Sequence, residues 1–152
     1  MPTYDYSGDG NGVIHNEFFR NYVVMKREVK VSDVIASDIT LTTNGVIAAG
    51  DIIQLIDVPV GFVLLNCVIK TVTAEGAALE ADFGLAGGDE IIDGFSLNQA
   101  AGTLTIMGVA DDYGANSVMG VTFATADTID MNFTSETDAG EWHAYFAGIF
   151  LN

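Results

Sequence analysis

The sequence predicts an all-β protein, an antiparallel β-sandwich of jelly-roll-like order with a flexible N-terminal arm. Three observations predict it. Hydrophobic residues recur at alternate positions almost everywhere after residue 20, Gly, Asp and Asn punctuate these runs at short intervals, and no segment sustains a helical period. About eight short strands separated by such turns fold as a sandwich. With 152 residues the chain fits one domain and needs no staple. The polar arm is placed at residues 1–16 and a single sandwich domain at 17–152, the boundary falling where "EFFRNYVV" begins.

The arm contains "DYSGDGNGVIHNE", in which Asp5, Ser7, Asp9 and Asn11 alternate as oxygen donors do around calcium. A calcium EF-hand also needs glycine at the sixth position and a bidentate carboxylate at the twelfth. Counting from Asp5 puts Asn16 at twelve; counting from Ser7 puts Phe18 there. Neither register closes the cage, so the stretch reads as an acidic Gly/Asp/Asn arm that binds no metal.

Along the body, "VVMKREVKV" sets Val23, Met25, Val29 and Val31 on one face, with Arg27 at its edge, and Lys26, Glu28 and Lys30 on the other. Asn44-Gly45 in "TNGV" reads as a hairpin turn. In "DVPVGF" Pro59 and Gly61 suit a tight turn, which predicts antiparallel pairing of "DIIQLIDV" with "FVLLNCVIKT". The latter run is apolar on both parities, as in a central strand covered on both sides. "LEADFGL" and "TIDMNFT" alternate cleanly, placing Leu79, Ala81, Phe83 and Leu85, and then Ile129, Met131 and Phe133, toward a core. "GGDEIIDGFSLNQAAG" has room for a helical turn or two, with Asp89 as N-cap. The last run, "EWHAYFAGIFLN", is apolar on both parities: it sits mid-sheet or meets another subunit.

Charge narrows function. Acidic residues number 21 against 5 basic ones, and Arg20, Lys26, Arg27 and Lys30 supply four of the five. Such a surface repels phosphate backbones and anionic lipid, so nucleic acid and membrane partners are excluded and a protein partner is favoured. Only 17% of residues are charged while 49% are hydrophobic, which points to contacts with other subunits. The opening residues lack the basic and apolar regions of a signal peptide. Cys67, the only cysteine, sits in "LLNCVIK" and reads as a small buried hydrophobe.

Catalytic constellations are missing. His15 lies in the arm, His143 in the last strand, and "GFSL" around Ser96 lacks the second glycine of a nucleophile elbow. "GLAGGDE" has acidic residues where a phosphate loop needs bare amides. The carboxylates Asp89, Glu90 and Asp93, and Asp111 with Asp112, read as solvated turns, and the "NFT" sequon at Asn132 as strand polarity. No catalytic residue, cofactor or metal is assigned.

The order "AGDIIQLIDVPVGFVLLNCVIKTVTAEGAALEADFGL", "DGFSLNQAAGTL" and "TADTIDMNFTSETDAGEWHAYFAGIF", covering residues 48–150, resembles small virion structural proteins of tailed bacteriophages. The resemblance implies a β-sandwich decoration or cement subunit on the capsid exterior: no enzyme, with the major capsid protein and its own copies, as a homotrimer, for partners. Arg20, Lys26, Arg27 and Lys30 are then the candidate docking charges, and Phe150 a candidate assembly contact. A receptor- or glycan-binding fibre module is the alternative and needs an exposed aromatic platform, for which Trp142 and Tyr145 are the candidates. A carboxylate hydrolase resting on Asp93 stands third.

Overall fold

The computed structural model describes residues 22–85, 88–106 and 121–150. The arm, Arg20, His15, and the Asp111/Asp112 pair lie outside them. Along the chain come β1 (Tyr22–Lys30), α1 (Val31–Ser37), α2 (Ile39–Asn44), β2 (Ile52–Val58), β3 (Phe62–Thr73), β4 (Glu80–Gly84), β5 (Ile92–Ser96), β6 (Leu104–Ile106), β7 (Val121–Thr122), β8 (Asp127–Phe133) and β9 (Glu141–Phe150). They form an antiparallel sandwich. One sheet runs β1-β9-β3-β6, with β7 also on β3, and the other β2-β8-β4-β5. First and last strands are neighbours, so β9 is central, as one of its two sequence readings required.

The core lies between the sheets, and alternation places it there. From β9 come Trp142, Ala144 and Phe146, from β8 Ile129, Met131 and Phe133, and from β4 Ala81 and Phe83. Each large side chain so buried contributes about 1.5–3 kcal/mol. Aromatic edges meet faces across this layer: Phe95 lies 5.6 Å from Phe83 and 6.5 Å from Trp142, centroid to centroid. Gly148 lets the sheet close beside Phe62, because a Cβ there would fall 2.3 Å from both Phe62 Cζ and the Val63 carbonyl oxygen.

The apolar double parity of β3 has a different cause from the one its sequence implied. Its register against β9 shifts between Leu64 and Asn66. Before this bulge the even residues Phe62 and Leu64 face the core; after it the odd residues Cys67, Ile69 and Thr71 do. Beyond it Asn66 and Lys70 are exposed, so the strand is central in its sheet yet open to water on its outer face.

Three local expectations are corrected. The turn before β3 exists, with Gly61 at φ 84 and the Phe62 N–H bonded to the Pro59 carbonyl, but the flanking strands do not pair. It is a corner between sheets: β2 pairs with β8 and β3 with β9. The reason is burial, since Val58 and Phe62 on either side both enter the core. Asn44-Gly45 makes no hairpin either. Gly45, at φ 74, ends α2 by donating its N–H to the Leu41 carbonyl, a left-handed C-cap. Helix therefore occupies residues 31–37 and 39–44 and not the stretch after Asp89, where Ile91, Ile92, Phe95 and Leu97 are buried around β5.

Candidate interaction surface

The outer face of the β1-β9-β3-β6 sheet gathers the surface chemistry. Cross-strand register sets its rows: Tyr22 beside Ile149, Val24 beside Ala147, Lys26 beside Tyr145, Glu28 beside His143, and Lys30 beside Glu141. On the far side of β9, Val68 lies beside Tyr145 and Lys70 beside His143, and β6 adds Ile106 next to Val68 and Leu104 next to Lys70. Large apolar groups stay in water here: Tyr22 is 36% exposed, Val24 43%, Leu104 58% and Ile106 40%.

Charged residues fill the other end. Lys26 Nζ donates to Glu28 Oε1 and stands 5.8 Å from the Tyr145 ring centroid. That hydrogen bond holds the Lys26 ammonium above, and the Glu28 carboxyl below, their ordinary ranges. His143 Nε2 lies 3.3 Å from Glu141 Oε1 and 3.7 Å from Glu28 Oε1, while Lys30 pairs with Asp33 at 3.2 Å. The exposed pairs Lys26–Glu28 and Lys30–Asp33 orient side chains more than they stabilise.

The sandwich is electrically two-sided. Strands of the first sheet hold Lys26, Arg27, Lys30 and Lys70 against Glu28 and Glu141; those of the second hold Asp57, Glu80, Asp82, Asp93, Asp127 and Asp130 with no basic residue. Asp82 accepts the Gly94 N–H at 2.8 Å, yet its carboxyl is pushed up, first by burial and also by Asp93, Asp89 and Glu80 nearby. Asp130 is covered and accepts from Thr128 Oγ1 at 2.6 Å. Among the described residues, no group of three His, Cys, Asp or Glu side chains could hold a metal ion.

Of the residues singled out by sequence, Lys26, Lys30 and Tyr145 share this outer face. Arg27 is exposed but on the opposite parity of β1, so one basic run in sequence is split between two faces in space. Trp142 is wholly buried and cannot serve as a binding platform. Phe150 turns inward as well, its ring 5.4 Å from that of Phe62, edge to face. Tyr22, Val24, Lys70, Leu104 and Ile106 were not singled out: their parity is legible, but not which strands lie beside them.

With this geometry the fold can be matched. Three chains from phage capsids share it. A chain in the capsid asymmetric unit of cyanophage Pam1 superposes with a TM-score of 0.57 at 13% identity, covering 86% of both chains. A chain in the capsid of Ralstonia phage GP4 gives 0.57 at 14%, over 87% of this chain and 86% of the other. The acidic stable capsid structure of Helicobacter pylori bacteriophage KHP30 gives 0.52 at 9%, over 86% and 88%. What is shared is the fold. No protein-family model and no curated protein matches the sequence.

Proposed function

We propose that the chain is a bacteriophage virion structural protein, a decoration or cement subunit on the capsid exterior that works through protein–protein contacts. The observation that carries this reading is a fold shared along 86–87% of the chain with chains from three phage capsids. Strand order supports it. With β1 beside β9 in one sheet and β2 beside β8 in the other, the chain has the wrapping of a jelly roll, an architecture that capsid proteins use. The charge balance fits a coat in contact with protein and solvent, and the surface chemistry gathers on a sheet face suited to docking.

In this reading the major capsid protein is the anchoring partner and the subunits assemble as a homotrimer. Attachment runs through the N-terminal region, where residues 1–16 lead into Arg20. Deleting residues 1–16 is expected to abolish binding to empty capsids while leaving the circular dichroism and melting of the body unchanged. Saturation of shells by the deleted protein at unchanged affinity would overturn the attachment. A cryo-electron reconstruction of the source virion tests the whole reading: its failure is a shell without this sandwich on the outside.

A further inference from the structure

We propose that copies of this chain associate head to tail, the outer face of the β1-β9-β3-β6 sheet of one copy resting on the outer face of the β2-β8-β4-β5 sheet of the next. The proposal deepens the virion reading by naming the contact between subunits, and rests on that reading only for where the assembly sits.

Exposure comes first. An antiparallel sheet that faces water normally turns polar side chains outward. Here Tyr22, Val24, Leu104 and Ile106 stand on the outer face beside the half-buried Tyr145 and Val68, on three hydrogen-bonded neighbouring strands and the edge strand β6. A contiguous apolar set of this kind marks a contact surface.

Charge selects the occupant. Lys26, Lys30 and Lys70 border the apolar rows together with Glu28 and Glu141, a mixed set, whereas Asp57, Glu80 and Asp82 belong to the opposite sheet, which has no cation of its own. The two faces lie on opposite sides of one sandwich and cannot meet within a molecule. Two copies can join them. A symmetric pairing of the acidic faces would set carboxylate against carboxylate, and the lysines stand only on the other sheet, so the complementary contact is heterologous; its repetition closes into a ring where the rotation allows and extends as an open stack where it does not. Asp82 fits this role: burial first pushes its carboxyl up and the nearby carboxylates Asp93, Asp89 and Glu80 add to that, a repulsion that a lysine from the next copy would offset.

Sedimentation of the full chain at micromolar concentration tests the contact. The wild type is expected to self-associate and to do so less in high salt. Lys26→Glu with Lys70→Glu reverses one face, and Asp57→Lys with Glu80→Lys reverses the other. All four side chains are exposed. Each double variant should associate about tenfold more weakly or worse, and equimolar mixing of the two should restore association. Val24→Asp should weaken it with no charge reversed, and thermal melting confirms which variants are folded. A wild type that stays monomeric, variants that associate as it does, or a mixture without rescue would each sink the proposal. Shell binding separates the two readings. A monomer that still coats empty capsids, and loses them on Lys26→Glu/Lys70→Glu, shows the face serving the shell and leaves the virion role standing. An assembly that ignores capsids keeps the contact and removes the virion role.

Discussion

Gly140 and Trp142 interlock: a Cβ on Gly140 would fall 2.3 Å from Trp142 Cη2 and 2.5 Å from Cζ2, so the buried indole fills the space that any side chain at residue 140 would need. Gly140 also holds φ at 107, and its carbonyl accepts the Val31 N–H at 3.1 Å, fixing the entry to β9 against the start of α1. Gly140→Ala therefore combines a left-handed backbone with overpacking. It is expected to cost about 2–4 kcal/mol, read as a lower urea midpoint at unchanged m-value.

The second expectation concerns α2, six residues long and capped at both ends. Asp38 accepts N–H bonds from Thr40 at 2.7 Å and Leu41 at 3.2 Å. Asp38→Ala should lower amide protection at Thr40, Leu41 and Thr42 by about 1 kcal/mol in native-state hydrogen exchange. Protection that stays at the wild-type level would show that packing against α1, not the cap, holds the helix.

Burial pushes the Cys67 thiol well above its ordinary value of 9.0. The folded chain therefore keeps the proton that the unfolded chain gives up. The associated stability is complete below pH 9 and declines as pH rises above it. Between about pH 8 and about pH 10 the wild type should lose about 1 kcal/mol more than Cys67→Ala, measured by denaturant titration at both values. Native Cys67 should also resist thiol reagents until the chain unfolds.

At Asp82 the sign is the same but the group is a carboxylate, so its charge is a burden at neutral pH. Its folded value lies above the ordinary 3.8, first because of burial. The penalty is full at neutral pH and vanishes as pH falls below that value. Asp82→Asn keeps an acceptor for the Gly94 N–H and removes the charge. At neutral pH it should melt no lower than wild type, and the gain, under about 1 kcal/mol after solvent screening, should disappear in acid. A lower melting temperature at neutral pH would mean that the ionised group is needed where it stands.

Much of the site was open to reading because a strand writes its two faces into alternate residues. Lys26 and Lys30 were legible on the polar side of β1, as was Val29 on the buried side. The helices escaped notice although Asp38 and Gly45 bracket "ITLTTN" as caps, because a β-branched run of that kind also reads as a strand. Trp142 and Tyr145 lie on opposite parities of one strand. Which parity enters the core could not be told from a run that is apolar on both.

By itself the sequence determined the all-β class, the buried faces of β1, β4 and β8, the interior setting of Cys67 and an acidic balance hostile to nucleic acid. These follow from local rules: period-two alternation, turn chemistry and net charge act through near neighbours or through composition. Tertiary structure decided the rest. It turned the Pro59 corner from a hairpin into a crossing between sheets, reversed the parity of β3 at its bulge, buried Trp142, and sorted the lysines and aspartates onto opposite faces. The reason is that strand partners are chosen by packing a single shared core, a contest among segments far apart in the chain, and only its outcome sets which side chains become neighbours on the surface.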